Sequence, residues 1–202
     1  MSFDFTNTIT KSEDLTVEYG ILYGNNTVVM IKAGAGGSYT GYADKYLRLA
    51  EMLHACSGCT VICLSNPSAD SFERADVDVI RDIVSHIKGK TQMYYIGVSN
   101  GATQGLIDAT KYFEFSRILL VNMPLMLNFH KIRKALSRVN TEIRFIFGEK
   151  DPSYSYVPFL KNAAQKDTCA AQVEIVTVPQ ADHNFSGMLD TFLDLGKRVL
   201  DS

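Results

Sequence analysis

Short apolar runs alternate along the whole chain with longer segments whose apolar positions recur every three or four residues. The first pattern is that of strands buried on both faces, the second that of helices with one face against a core. Residues 27–31 (TVVMI), 61–64, 93–96, 118–121, 143–147 and 173–178 read as such strands. The segment 43–56 carries Tyr46, Leu49, Ala50 and Leu53 on one helical face. Further helices are predicted near 73–87, from just past Ser99 to 111, and near 130–138, 156–165 and 187–200. Strands alternating with helices signal a parallel sheet covered on both sides. Residues 3–9 and 15–22 have strand character and are placed at the sheet edge. With neither repeats nor linker-like composition, residues 1–202 are expected to form one doubly wound α/β domain.

Composition narrows the function classes more than it changes the fold. At 202 residues, 46% of them hydrophobic, the chain is long enough and apolar enough for a sizeable core in one domain. A formal charge of −2, without basic or acidic runs, gives no electrostatic case for nucleic acid or an anionic membrane surface. No apolar run approaches the length of a membrane span. The first six residues show neither a basic region nor an apolar stretch of secretory type, so the expectation is a cytoplasmic protein. Cys56, Cys59 and Cys63 suggest a metal or redox motif, but Cys169 is far along the chain and no fourth ligand is near. They are read as small helix-end, turn and strand residues. No nucleotide, metal or flavin motif is visible, and no cofactor is expected.

The chemistry concentrates at three strand ends. Strand 93–96 runs into Gly97-Val98-Ser99-Asn100-Gly101, a Gly-x-Ser-x-Gly between a strand and a helix. A nucleophilic serine needs that spacing. Its hydroxyl must stand above the sheet on a very tight turn, and a side chain two positions either way would collide as the chain reverses. The motif alone is weak evidence, since any α/β protein needs such turns. Strand 143–147 leads to Gly148-Glu149-Lys150-Asp151, which places Asp151 three residues past the glycine at the carboxyl edge of the sheet. Glu149 is a rival carboxylate, and Asp151 followed by Pro152 and Ser153 also suits a helix N-cap. After strand 173–178 comes Pro179-Gln180-Ala181-Asp182-His183, where His183 is the one histidine in a loop past a strand. His54 and His86 fall on predicted helices, and His130 begins one.

Ser99, Asp151 and His183, in that order and each after its own strand, resemble the α/β-hydrolase superfamily. The elbow GVSNGA, the acid motif GEKD and the histidine motif ADHNF carry the likeness. What the resemblance implies is a serine esterase-like enzyme with Ser99 as nucleophile, His183 as base within hydrogen-bond reach of it, and Asp151 orienting the imidazole. The backbone N–H of Asn100 would be one oxyanion donor. The loop Lys32-Ala33-Gly34-Ala35-Gly36-Gly37-Ser38 resembles the family's HGxGGS-type segment and makes Ala35 the second donor, with Gly34 as the alternative. Ala33 stands where many relatives have histidine, so the loop lacks its usual side-chain anchor. Only residues 122–128 separate a strand from the next helix, too few for a cap domain, and an open cleft is expected. Met123 and Leu125, with Pro124, Met126 and Leu127, are placed as an apolar wall for the substrate. The expected partner is a small acyl substrate. A thioesterase, amidase or acyltransferase would use the same residues, and an idle binding protein on the same fold is the rival from another class.

Overall fold

The computed structural model of the chain describes residues 4–12, 15–67, 75–167 and 172–201. Eight strands form one sheet: β1 (Asp4–Ser12), β2 (Leu15–Leu22), β3 (Asn25–Lys32), β4 (Cys59–Leu64), β5 (Gln92–Val98), β6 (Phe115–Val121), β7 (Glu142–Gly148) and β8 (Val173–Val178). Their order across the sheet is β1-β2-β4-β3-β5-β6-β7-β8. From β4 to β8 every neighbouring pair is parallel, whereas β1 and β2 form an antiparallel pair and β2 joins β4 antiparallel. The N-terminal segments thus lie at one side of the sheet as expected, with β1 at the edge and β2 between it and β4. The helices are α1 (Lys45–Ser57), α2 (Ala75–Ser85), α3 (Asn100–Asp108), α4 (Leu125–Leu136), α5 (Val157–Asp167) and α6 (Leu189–Lys197). The first two positions of the helix predicted near 73–87, residue 3 of the first strand, and Cys169 lie outside the described residues.

The parallel strands are apolar at nearly every position because both faces are covered. In β3, Val28 and Met30 enter the core under α2–α5, while Val29 and Ile31 enter the core under α1 and α6. Tyr46, Leu49, Ala50 and Leu53 of α1 are all buried on that second side, as their helical spacing requires. Cys59 opens β4 rather than sitting in the turn, and both it and Cys63 are buried, while Cys56 is exposed. Burial pushes both thiols up in pKa, which leaves them unreactive.

One helix boundary differs from its expectation, with consequences for the site. Helix α4 starts at Leu125, directly behind Pro124 at its N-cap, five residues before the predicted start near 130. Met123 and Leu125 are fully buried under the sheet at the helix start, while Met126 and Leu127 of the same apolar run are exposed. The connection from β6 shrinks to residues 122–124. No helical cap is inserted there.

Candidate active site

Ser99 sits between β5 and α3 with φ 55° and ψ −122°, a conformation that L-residues seldom adopt. Close packing of backbone on backbone enforces it. A Cβ on Gly101 would lie 2.4 Å from the Ala33 carbonyl oxygen, and one on Gly97 would lie 2.6 Å from the Gly101 oxygen. The two glycines thus let the start of α3 press against β3 and β5 and lift Ser99 into a cleft. Among the described residues, the other non-glycine residues with positive φ are Ala43, Asp44, Asn122, Gln180 and Phe185. All lie in loops at the same carboxyl edge of the sheet. Strain of about 1–3 kcal/mol per residue persists only where surrounding structure holds it, and it gathers at functional sites.

Asp151 and His183 meet at this edge. The carboxylate is almost fully buried; its Oδ2 pairs with His183 Nδ1, and its Oδ1 accepts from the Ser153 N–H at 2.7 Å. The cap role and the pairing role expected as alternatives are filled at once, one by each oxygen. Glu149 instead accepts from the Gln180 N–H at 2.9 Å, and Asp182 accepts from the Asn184 and Ser186 N–H groups at 3.0 and 2.8 Å. Those backbone bonds hold the Asp182 carboxyl below its usual range. Neither rival carboxylate bonds the imidazole. His54 on α1 is tied to the Cys59 carbonyl, and His130 is exposed within α4. The expected hydrogen bond between the Ser99 hydroxyl and the His183 ring is not formed, although both residues line one cavity. Such bonds are often long or poorly aligned until substrate is in place.

A residue with no charge ties the two loops together. Asn122, fully buried at the end of β6, donates through Nδ2 to the Asp182 and His183 carbonyls at 3.2 and 3.0 Å. Its Oδ1 accepts from the Gly148 N–H at 2.8 Å, at the root of the Asp151 turn. Gly148 is needed there, because a Cβ on it would meet the Ala181 oxygen at 2.4 Å. Asn122→Ala leaves these buried groups unpaired, so a loss of about 3 kcal/mol of stability is expected from two or three such deficits. Urea unfolding checks it; a loss below about 1 kcal/mol would mean that the backbone alone sets the two loops.

The glycine-rich loop after β3 is anchored by Asn66 rather than by a side chain at position 33. Gly36 N–H donates to the Asn66 carbonyl at 2.6 Å, Asn66 N–H to Gly37 at 2.9 Å, and Asn66 Nδ2 to Ala33 at 3.2 Å. The backbone N–H groups of Ala35, Gly34 and Asn100 carry no hydrogen bond among the described residues. Donors left free beside a serine, one of them on the first turn of a helix, suit a developing negative charge.

The cavity beside Ser99 is open and holds about 380 Å³, at the small end for a ligand site. Its walls include Gly34, Ala35, Tyr42, Lys45, Ser99 and His183. Met123 and Leu125 are absent from it. The apolar wall expected there is corrected by their complete burial as core. A larger cavity of about 800 Å³ opens at the opposite edge of the sheet, around Gln92, Phe115 and Thr141, remote from the serine. Among the described residues no group of three or more His, Cys, Asp or Glu side chains could hold a metal ion. None of their helices is long and apolar enough to cross a membrane.

No protein-family model matches the chain, and no curated protein matches it by sequence. Solved structures do. Est1E from Butyrivibrio proteoclasticus aligns with a TM-score of 0.73 at 11% identity, covering 96% of each chain. A dienelactone hydrolase from Anabaena variabilis gives 0.70 at 16%, covering 98% of this chain and 96% of its own. An S-formylglutathione hydrolase from Staphylococcus aureus gives 0.67 at 11%, covering 99% of both. The chain has the α/β-hydrolase fold. At such identities the likeness carries the fold and not the activity. Within this fold, Ser99, Asp151 and His183 stand at the carboxyl ends of β5, β7 and β8, where the sheet presents its ligand-binding edge.

Two polar residues without any local sequence signal also belong to this edge of the α/β-hydrolase fold. Asn66 anchors the glycine loop, and Lys45 lines the cavity. Short polar residues after a strand and a lysine at a helix start ordinarily face solvent. Only contacts distant in sequence reveal their roles.

Proposed function

We propose that the chain is a serine hydrolase cleaving a small or medium carboxylic ester, or a thioester, through an acyl-enzyme. The observation that carries this reading is the buried Asp151 carboxylate on His183 Nδ1, beside a cavity shared by His183 and the strained Ser99. With Nδ1 engaged, Nε2 is the nitrogen left to take a proton. Ser99 Oγ attacks the acyl carbon while His183 Nε2 removes its proton. The carbonyl oxygen, now negative, is received by the N–H groups of Ala35 and Asn100, each worth about 100–1,000-fold in rate. The C–O or C–S bond then breaks, and the leaving group departs with the proton from His183. Water repeats the sequence on the acyl-enzyme and frees the acid. No cofactor takes part in these steps.

The reading of an idle binding protein has less support. A binding surface has no use for a serine held at positive φ, nor for a carboxylate buried to orient one imidazole nitrogen. The names of two of the similar structures, a dienelactone hydrolase and an S-formylglutathione hydrolase, favour ester-type chemistry for this chain. A fluorophosphonate probe tests the proposal. One adduct is expected, mapped by peptide mass to Ser99 and absent from Ser99→Ala. Full labelling of that variant would overturn it.

A further inference from the structure

We propose that the cleft beside Ser99 selects esters that carry a carboxylate, with the Lys45 side chain as the group that receives it. This rests on the reading of Ser99 as nucleophile and names the substrate class of that same site. Lys45 lines the cavity together with Ser99 and His183, yet is only 3% exposed. A buried ammonium normally has a carboxylate beside it. Lys45 has none among the described residues. Its one hydrogen bond runs from Nζ to the Asn184 carbonyl at 2.8 Å, and it lies 4.9 Å from the Phe192 ring centroid and 5.5 Å from that of Tyr46. An ammonium has three N–H donors, so two remain unspent.

The surroundings sharpen that deficit. Among the described residues Asp182 is the acid that acts on Lys45 through space, but its carboxylate is already engaged by the Ser186 and Asn184 backbone. Burial lowers the Lys45 pKa to about 8, which still leaves it charged at pH 7. Its place as the first residue of α1 adds to the cost, because a helix N-terminus favours negative charge. The backbone that delivers it there is strained at Ala43 and Asp44, with φ 51° and 57°. A buried cation with no carboxylate beside it among the described residues, at the positive end of a helix, is matched by an anion supplied from the cavity. A carboxylate there would gain charge-assisted hydrogen bonds to donors that nothing else uses. A cavity of about 380 Å³ also limits such a substrate to a short one.

A second role for Lys45, clamping the histidine loop through Asn184, predicts something different. A clamp would affect all esters alike, whereas a substrate contact changes their ratio. The mono-4-nitrophenyl esters of succinate, glutarate and adipate are therefore compared with their methyl diesters, after subtraction of spontaneous hydrolysis. The best acid of the series is expected to exceed its methyl ester at least tenfold in kcat/KM. In Lys45→Met, which keeps an unbranched side chain one atom shorter and without the charge, that ratio should fall to about one whatever the absolute rates. Calorimetry with monomethyl glutarate on Ser99→Ala gives a readout free of turnover, and binding should weaken at least tenfold when Lys45→Met is added. Ratios near or below one throughout the wild-type series, or a preference that survives Lys45→Met, overturn the proposal. Lysine-dependent binding without turnover of any ester would sink the hydrolase reading and leave the carboxylate site standing.

Discussion

Ser99→Ala is expected to lose about 10⁶-fold in kcat on 4-nitrophenyl esters, the scale seen when a nucleophile of this type is removed. The fold should be untouched. Alanine keeps the Cβ that Ser99 already accommodates at φ 55°, and the hydroxyl makes no hydrogen bond among the described residues that would be lost. Ser99→Gly makes a sharper companion. It should be as inactive as Ser99→Ala and no less stable than the wild type. Relief of about 1–3 kcal/mol of backbone strain offsets the roughly 0.4–1 kcal/mol by which glycine loosens the unfolded chain. Together they separate chemistry from conformation. Retention of more than about one part in a hundred of the activity by both variants would remove Ser99 from the mechanism.

The elbow was legible because its requirements are local. Two glycines, a strand before and a helix after lie within a few residues, and each can be read without knowing what the chain packs against. The acid and the histidine were legible for a related reason: each follows an apolar run long enough to be recognised as a strand, and a parallel sheet brings those strand ends to one edge. The Met123–Leu125 region shows where this reasoning stops. An apolar run beside a strand end serves equally well as cleft wall or as helix underside, and periodicity over five residues does not distinguish them. What decides it is the start of α4 at Leu125, which turns Met123 and Leu125 beneath the sheet.

Lys45 and Asn122 were illegible for another reason. Lys45 falls at the edge of the apolar face of α1, four residues before Leu49, but a lysine at a helix start ordinarily carries its charge into solvent. It is buried because Phe192 of α6 and Asn184 of the histidine loop close over it, about 140 positions further on. Asn122 is an uncharged residue directly after a strand, with no local feature to single it out. That it holds both the Gly148 turn and the His183 loop depends on contacts spanning 26 and 61 residues. Polar residues whose partners are remote in sequence carry no local signature, however much they contribute to the site.

Asp151→Asn should preserve the fold and lower kcat about 10,000-fold, the loss known for the equivalent change in a well-studied triad. The geometry supplies the reason. One carboxylate oxygen accepts from the Ser153 N–H at 2.7 Å and the other faces His183 Nδ1. In asparagine only the carbonyl oxygen can accept, so the Ser153 bond, buried and local, would claim it. The amide NH₂ is then left facing Nδ1. To meet a donor, Nδ1 must give up its proton, and the neutral ring carries that proton on Nε2 instead. The nitrogen that should take the serine proton is thereby already occupied. The capping bond survives, so thermal unfolding should shift by only a few degrees while the rate collapses. Asp182→Asn and Glu149→Gln are the controls. Asp182 accepts from the backbone of its own loop and Glu149 from Gln180 of the neighbouring histidine loop, and an amide oxygen can keep one such bond. Turnover within a few-fold of wild type is expected for both. Near-normal hydrolysis by Asp151→Asn, with collapse in either control, would mean that a different carboxylate orients the histidine during turnover.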